Sequence, residues 1–222
     1  MAVAVIIQLN ANSFPGAEAS LASIDGKIQE VVQDLKEDTP HPTFILGSQH
    51  QDKNAIQITS EHHSLQQGIE NESALYSSPL LKGVRGLCGE PINIFHVALN
   101  RPAFGPGGPA TAKVVEFVLS YFPISRVTPD FQKQVQDDFL KFDEIYRPAA
   151  IGSQGWASGW LLEDQTHESL DGEKAKCFCV MRGWDSMDHF EKSVKSDEYK
   201  NAIPLLFAWN APWKMWHVER QI

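Results

Sequence analysis

The sequence predicts an α+β fold: two β-α-β-β-α-β repeats of ferredoxin-like order, closed within one chain into an α+β barrel. Three observations predict it. Strand-like and helix-like segments follow one another in the same order in both halves of the chain. A run of three prolines and three glycines, NRPAFGPGGPATA over residues 100–112, separates the halves as a linker. The closing segments of the halves, INIFHVAL at 92–99 and WKMWHVE at 213–219, both carry His-Val. Equal order with a shared terminal feature is the mark of an internal repeat. The expected units are 1–99, the more degenerate copy, and 113–222.

In the first half, residues 2–9 (AVAVIIQL) are short, β-branched and apolar, as a buried strand should be. Leu21, Ile24, Ile28, Val31, Val32 and Leu35 fall at helical spacing with Ser20 as N-cap, and Pro40 and Pro42 end that helix. Residues 43–48 and 55–60 read as strands around the turn Asp52-Lys53-Asn54. A Gln- and Ser-rich stretch at 62–82 reads as a weaker helix, and 92–99 as the last strand.

The second half opens with a strand at 114–122. Thr128-Pro129-Asp130 then starts a helix, because Thr caps well and Pro suits the first helical position. Phe131, Val135, Phe139, Phe142 and Tyr146 form its apolar stripe. Strands at 156–162 and 174–182 flank a hairpin turn at Asp171-Gly172. Asp185 or Ser186 caps a further helix, Pro204 interrupts it, and 213–219 closes the fold.

Composition narrows the function. The 222 residues carry a formal charge of −9, which opposes binding to phosphate backbones, so no nucleic-acid partner is expected. There is no basic cluster for an anionic membrane, and the apolar N-terminus is too short to span one. Three cysteines, Cys88, Cys177 and Cys179, argue against a disulfide framework and for a reducing, cytoplasmic setting. Cys177 and Cys179 share one face of a strand and read as small buried hydrophobes.

Strand parity shows that the second-half sheet is apolar on both faces. Trp213, Met215 and His217 oppose Trp216 and Val218; Phe178 and Val180 oppose Cys177, Cys179 and Met181. Such a sheet is buried on both sides. Helices are expected on one face, with the partner sheet and a ligand cavity on the other.

The run RGWDSMDHFEKSVKSDEYK at 182–200 resembles the strand-to-helix corner of antibiotic-biosynthesis-monooxygenase-type domains of the dimeric α+β barrel superfamily. Trp184, Asp185, Ser186, Ser196 and Tyr199 carry the resemblance, which covers 113–220 well and 1–99 faintly, with Glu61 at the Trp position. It implies a barrel enclosing an apolar small-molecule site. The implied chemistry is cofactor-free oxygenation of a polyketide-like phenol or enol; relatives cyclise, isomerise, dehydrate or bind haem. Some oxygenase members have an Asn four residues before the corner Trp, where this chain has Val180.

Polar residues on the expected cavity face are the site candidates. They are Glu116, Ser158, Arg182 and His217 in the second half, and Gln8, Gln57, Thr59 and His96 in the first. His217 is a candidate proton-transfer group, or else a hydrogen-bonded core histidine. Arg182 and Glu116 are candidates to orient an enolate and to move a proton, or else to pair with each other. Trp184, Trp156, Trp160, Phe178, Met215 and His96 are the candidate substrate wall. No metal-ligand spacing, dinucleotide fingerprint or phosphate loop occurs, so no cofactor and no metal are expected. The expected partner is an apolar, polyketide- or terpenoid-like substrate, bound by a monomer or homodimer. The alternatives to oxygenation are a cyclase or isomerase, including a pericyclase, and a non-catalytic ligand carrier.

Overall fold

A computed structural model describes residues 2–10, 44–64, 66 and 92–221. Four strands of the first half are β1 (Val3–Asn10), β2 (Phe44–Gln49), β3 (Ala55–His62) and β4 (Asn93–Leu99). The second half holds β5 (Val114–Pro123), β6 (Ser153–Leu161), a two-residue β7 (Gln165–Thr166), β8 (Lys174–Trp184) and β9 (Trp213–Arg220). Its helices are α1 (Pro129–Tyr146), α2 (Met187–Ser193), α3 (Asp197–Ala202) and α4 (Pro204–Phe207). The helix expected at 20–35 lies outside the described residues, as does nearly all of the one expected at 62–82.

Every β-ladder is antiparallel, and the strand order is β5-β9-β2-β3-β1-β4-β6-β8, with β8 returning to β5. Eight strands therefore close a barrel, and β7 adds to β8 at its rim. Within each half the order is that of a ferredoxin-like sheet, which has two open edges. Open edges expose unpaired backbone groups. Here β2 pairs with β9 and β4 with β6, so each half supplies the edges that the other lacks.

The two seams match residue for residue. Gly47 faces Arg220 in one, and Gly159 faces Leu99 in the other. A Cβ on Gly47 would stand 2.3 Å from the Glu219 carbonyl oxygen; one on Gly159 would stand 1.9 Å from that of Ala98. Only glycine lets the halves approach this closely.

In the second half the closed sheet sorts the strand faces in the opposite sense to the expectation. Val115, Phe117, Leu119 and Tyr121 of β5, Cys177, Cys179 and Met181 of β8, and Trp216 and Val218 of β9 point into the barrel. They pack there against Ile6, Phe95, Val97 and Leu99 of the first half. The barrel is thus a filled core. Burial pushes the Cys177 thiol up to about 12 and raises Cys179 as well, as expected of inert thiols. The linker stoppers one end: Ala103 and Ala110 are buried in this core, and Glu61 accepts a hydrogen bond from the Ala103 N–H at 2.5 Å. The outer face of the second-half sheet is covered by α1 to α4, and the cavity lies there, between sheet and helices.

Local chemistry accounts for the cover. Thr128 caps α1 by accepting from the Phe131 N–H, and Pro129 takes the first turn. The α1 stripe buries Val135, Phe139, Phe142 and Tyr146 on the sheet. Ser186 caps α2 and Ser196 caps α3, while Pro204 starts the short α4. Asp171 and Gly172 both have positive φ, as the turn between β7 and β8 requires. Among the described residues no helix is long and apolar enough to cross a membrane.

Candidate functional site

The cavity measures about 720 Å³ and is mostly apolar. Its floor is the outer face of β5, β8 and β9: Glu116, Val118 and Ser120, then Val180 and Arg182, then Trp213 and Met215. Its roof is Phe139, Phe142 and Tyr146 from α1, with Phe190, Val194, Tyr199, Ile203 and Leu206 from the helices after β8. Arg126, Trp209 and Asn210 line it beyond the end of β5. An apolar enclosure with a few convergent polar groups suits a small organic ligand.

The polar groups arise from one transverse row of the sheet. His217, Glu116, Arg182 and Trp156 are successive cross-strand neighbours on β9, β5, β8 and β6. Glu116 lies deep in the protein, with its surface partly open to the cavity. The Trp184 indole N–H donates to its Oε2 at 2.8 Å. Burial raises the Glu116 carboxyl above the ordinary range; the Arg182 charge and the Trp184 bond oppose that rise without cancelling it. Its proton affinity therefore lies above that of an ordinary carboxylate, a shift of the kind that marks candidate proton-transfer groups.

Arg182 lines the cavity, but its charge is already answered. It is 4% exposed, forms a buried ion pair with Asp143 of α1, and donates to Ser153 Oγ at 3.3 Å. The expected pairing with Glu116 gives way to Asp143, which α1 sets over the guanidinium. Tyr146 and Tyr199 close this end. The Tyr146 hydroxyl bonds Ser193 Oγ at 2.5 Å, and the Arg182 guanidinium lies 5.3 Å from the Tyr146 ring centre. Burial raises both phenols, and the Glu116 charge adds to the rise, so each keeps its proton.

The remaining expected residues fall into three places. Met215 lines the cavity. Trp184, fully buried, stands behind Glu116 and orients it. Trp156, Trp160 and Phe178 share the cavity's sheet face but serve as packing. Phe139 meets Trp156 edge-on, and the Arg101 guanidinium covers the Trp156 ring at 3.7 Å. Trp160 and Phe178 pack on each other and on Phe122 or Phe139.

His217 does not line the cavity. It is 1% exposed, its ring lies 4.2 Å from that of Phe190, and Gln51 of the first half clamps it. Gln51 Oε1 accepts from the His217 backbone N–H, so its amide nitrogen faces Nδ1 at 2.7 Å as donor. Nδ1 is therefore an acceptor and the ring proton sits on Nε2. Burial, then the charge of His50, lowers the imidazole to about 4. His96 lies on the opposite half and is held by Glu163. Gln8, Gln57 and Thr59 point into the barrel and form a chain there: Gln8 and Trp216 donate to Gln57 Oε1, and Gln57 donates to Thr59 Oγ1. Ser158 is buried on the outer face.

Phe142, Asp143 and Tyr146 of α1, and Arg126 in the turn beyond β5, were not predicted as site residues. The α1 stripe carried the signal, because Asp143 beside Phe142 and Tyr146 places a carboxylate at the edge of an apolar face. A haem fits this lining poorly. It contains no His or Cys, both tyrosines hold their protons, and among the described residues no three His, Cys, Asp or Glu side chains gather as a metal site.

No protein-family model and no curated protein matches the chain. Solved structures do. A monooxygenase candidate from Lactobacillus acidophilus superposes with a TM-score of 0.59 at 9% identity, over 100% of this chain and 94% of that one. A heme-binding protein from Thermus thermophilus gives 0.55 at 13% identity, over 99% and 90%. An anthrone oxidase-like protein gives 0.50 at 13% identity, over 100% and 92%. At such identities the likeness establishes architecture: the chain has the α+β barrel fold of these proteins, with both halves of the barrel drawn from one polypeptide.

Proposed function

We propose that this protein is an enzyme that removes a proton from an apolar enolisable or phenolic substrate held in the helix-covered cavity, with Glu116 as the base. The observation that carries the reading is Glu116 itself. It is a carboxylate of raised proton affinity, oriented by the Trp184 indole, at one end of a mostly apolar enclosure. Phe139, Phe142 and Phe190 offer faces to a planar substrate, and the ionised product is sheltered from bulk water.

The oxygenation reading follows from the electron-rich anion so formed. It reduces molecular oxygen, a hydroperoxide forms at carbon, and loss of water leaves a carbonyl; one CH₂ and one O₂ become one C=O and one H₂O. The monooxygenase candidate and anthrone oxidase-like protein that share the fold support this direction. A second reading, isomerisation or cyclisation, is favoured by Arg182. Its pairing with Asp143 leaves, among the described residues, no unanswered cation beside Glu116 to hold reduced oxygen, whereas returning the proton to another carbon needs only the carboxyl.

The test is substrate turnover by wild type and Glu116→Gln, with oxygen uptake recorded. The reading expects turnover to fall by about a hundredfold or more in the variant, the usual range for loss of a general base. Uptake of one O₂ per turnover marks oxygenation; turnover without uptake marks the second reading. Full activity in a folded Glu116→Gln protein would overturn both.

A further inference from the structure

The cavity is a trough with a sense of direction. Glu116, Val118 and Ser120 lie in line along the outer face of β5, Pro123 ends the strand, and Arg126 follows in the turn beyond. At roughly 3.3 Å per residue, Glu116 and Pro123 stand about 23 Å apart. The trough is therefore long as well as apolar. Its inner end holds the Glu116 carboxyl and, beside it, Arg182, whose charge is answered by Asp143; Arg147 Nε lies 3.7 Å from the same carboxylate. Its outer end holds the other arginine of the lining, Arg126.

Arg126 is held in place without being neutralised. Its Nη1 donates to the Trp209 carbonyl oxygen at 2.6 Å. Its guanidinium lies 4.7 Å from the Phe131 ring centre and 5.8 Å from that of Phe122. Among the described residues no carboxylate comes within 4.0 Å of it, although Glu173 binds the neighbouring Ser125 and Asp138 binds the Trp209 indole. An oriented guanidinium with unused N–H groups at an apolar mouth is a receptor for a carboxylate. Phe207 and Trp213, 61% and 51% exposed, extend the apolar surface at this end.

From this we infer that the trough takes an elongated apolar molecule bearing one carboxylate, seated with the carboxylate on Arg126 and the apolar body directed towards Glu116. The inference rests on the reading of this cavity as the substrate site. It adds that Arg126 selects the substrate class and sets its direction, because the guanidinium at the inner end is already paired with Asp143 and stands beside the Glu116 carboxyl.

Binding tests this without turnover. Dodecanoate and its uncharged methyl ester would each compete with the neutral dye Nile red for wild type, Arg126→Gln, Arg126→Lys and Val180→Phe. Wild type is expected to prefer the acid over the ester by about tenfold, the lower end of the range for a hydrogen bond to a charged group. Arg126→Gln should abolish the preference and leave ester binding unchanged; Arg126→Lys should retain part of it. Val180→Phe, which fills the middle of the trough, should weaken both ligands. Equal affinity of acid and ester for wild type overturns the inference. So does a preference that survives Arg126→Gln, or binding that ignores Val180→Phe. Because affinity is read here and turnover in the Glu116 experiment, either proposal can fail alone.

Discussion

His96 and His217 occupy the same place in the two halves of the barrel, and each is clamped by the hairpin of the other half. His96 stands opposite Val5 of β1, and His217 opposite Glu116 of β5. Glu163 bonds the backbone N–H and Nδ1 of His96; Gln51 bonds the same two atoms of His217. The backbone follows suit: the Leu162 N–H donates to the His96 carbonyl oxygen, and the His50 N–H to that of His217. The histidines are thus paired fasteners of the two seams. Glu163 accepts from Nδ1 where Gln51 donates to it, so Nδ1 carries a proton in His96 and none in His217.

His217→Ala is expected to lower Tm and leave activity per folded molecule nearly intact, since the ring lies outside the cavity. Thermal unfolding and turnover measured on one sample check this. A large loss of turnover at unchanged Tm would restore His217 to the catalytic group.

The same histidine makes stability depend on pH. Its folded value, about 4, lies below the ordinary 6.5, so between these values the unfolded chain binds the proton and the folded chain does not. Stability therefore falls as pH drops from 6.5 towards 4, by up to about 3 kcal/mol for this group. Chemical denaturation across this window should show a shallower slope in His217→Gln than in wild type.

Glu116 has the opposite sign. Its folded value is raised, so its contribution to stability is present at low pH and is lost as pH rises past the ordinary carboxyl value. Glu116→Gln keeps an acceptor for the Trp184 indole and removes the buried charge. The variant should melt at or above the wild-type Tm at neutral pH while losing turnover. The wild-type pH–rate profile should have its acid limb above the usual carboxylate range.

The Arg182–Asp143 pair fixes α1 over the inner end of the trough. Asp143→Asn leaves a buried, unanswered guanidinium and should cost about 3–5 kcal/mol. Replacing both partners, as Arg182→Met with Asp143→Leu, should cost less than either single change. Denaturant unfolding of the double-mutant cycle reads this coupling.

Gly47→Ala and Gly159→Ala should each open one seam, since the added methyl meets a carbonyl oxygen of the opposite half at 2.3 Å and 1.9 Å. Each should destabilise by about 1 kcal/mol or more, as overpacking does. Hydrogen exchange should rise first in β2 and β9 for the former and in β4 and β6 for the latter. Equal, global protection loss would contradict the two-seam description.

Much of the fold was legible in the residues. The β-branched runs, the Thr128-Pro129 start, the Asp171-Gly172 turn and the repeated His-Val each report on a local rule, and the structure obeys those rules at these positions. The correspondence of the halves was legible only to within one residue. Register places His62, not Glu61, opposite Val3 as Trp184 stands opposite Val114. Glu61 points into the barrel and holds the linker. In the first half Val5 and Ser60 take the places of Glu116 and Arg182, so that half has no carboxylate at the corresponding point.

The sequence by itself determined which side chains share a face, because alternation along a strand is a property of the strand. It grouped Glu116, Arg182, His217 and Met215 on one side of the second-half sheet and Cys177, Cys179 and Trp216 on the other. Which side is the barrel interior was decided by tertiary structure alone. That choice depends on the two sheets joining at their edges, where unpaired N–H and C=O groups of one half satisfy those of the other. Closure turned the Cys177 face inward and left the Glu116 face to the helices. It also brought in Asp143, Tyr146 and Gln51, residues from elements that no local pattern ties to β5, β8 or β9.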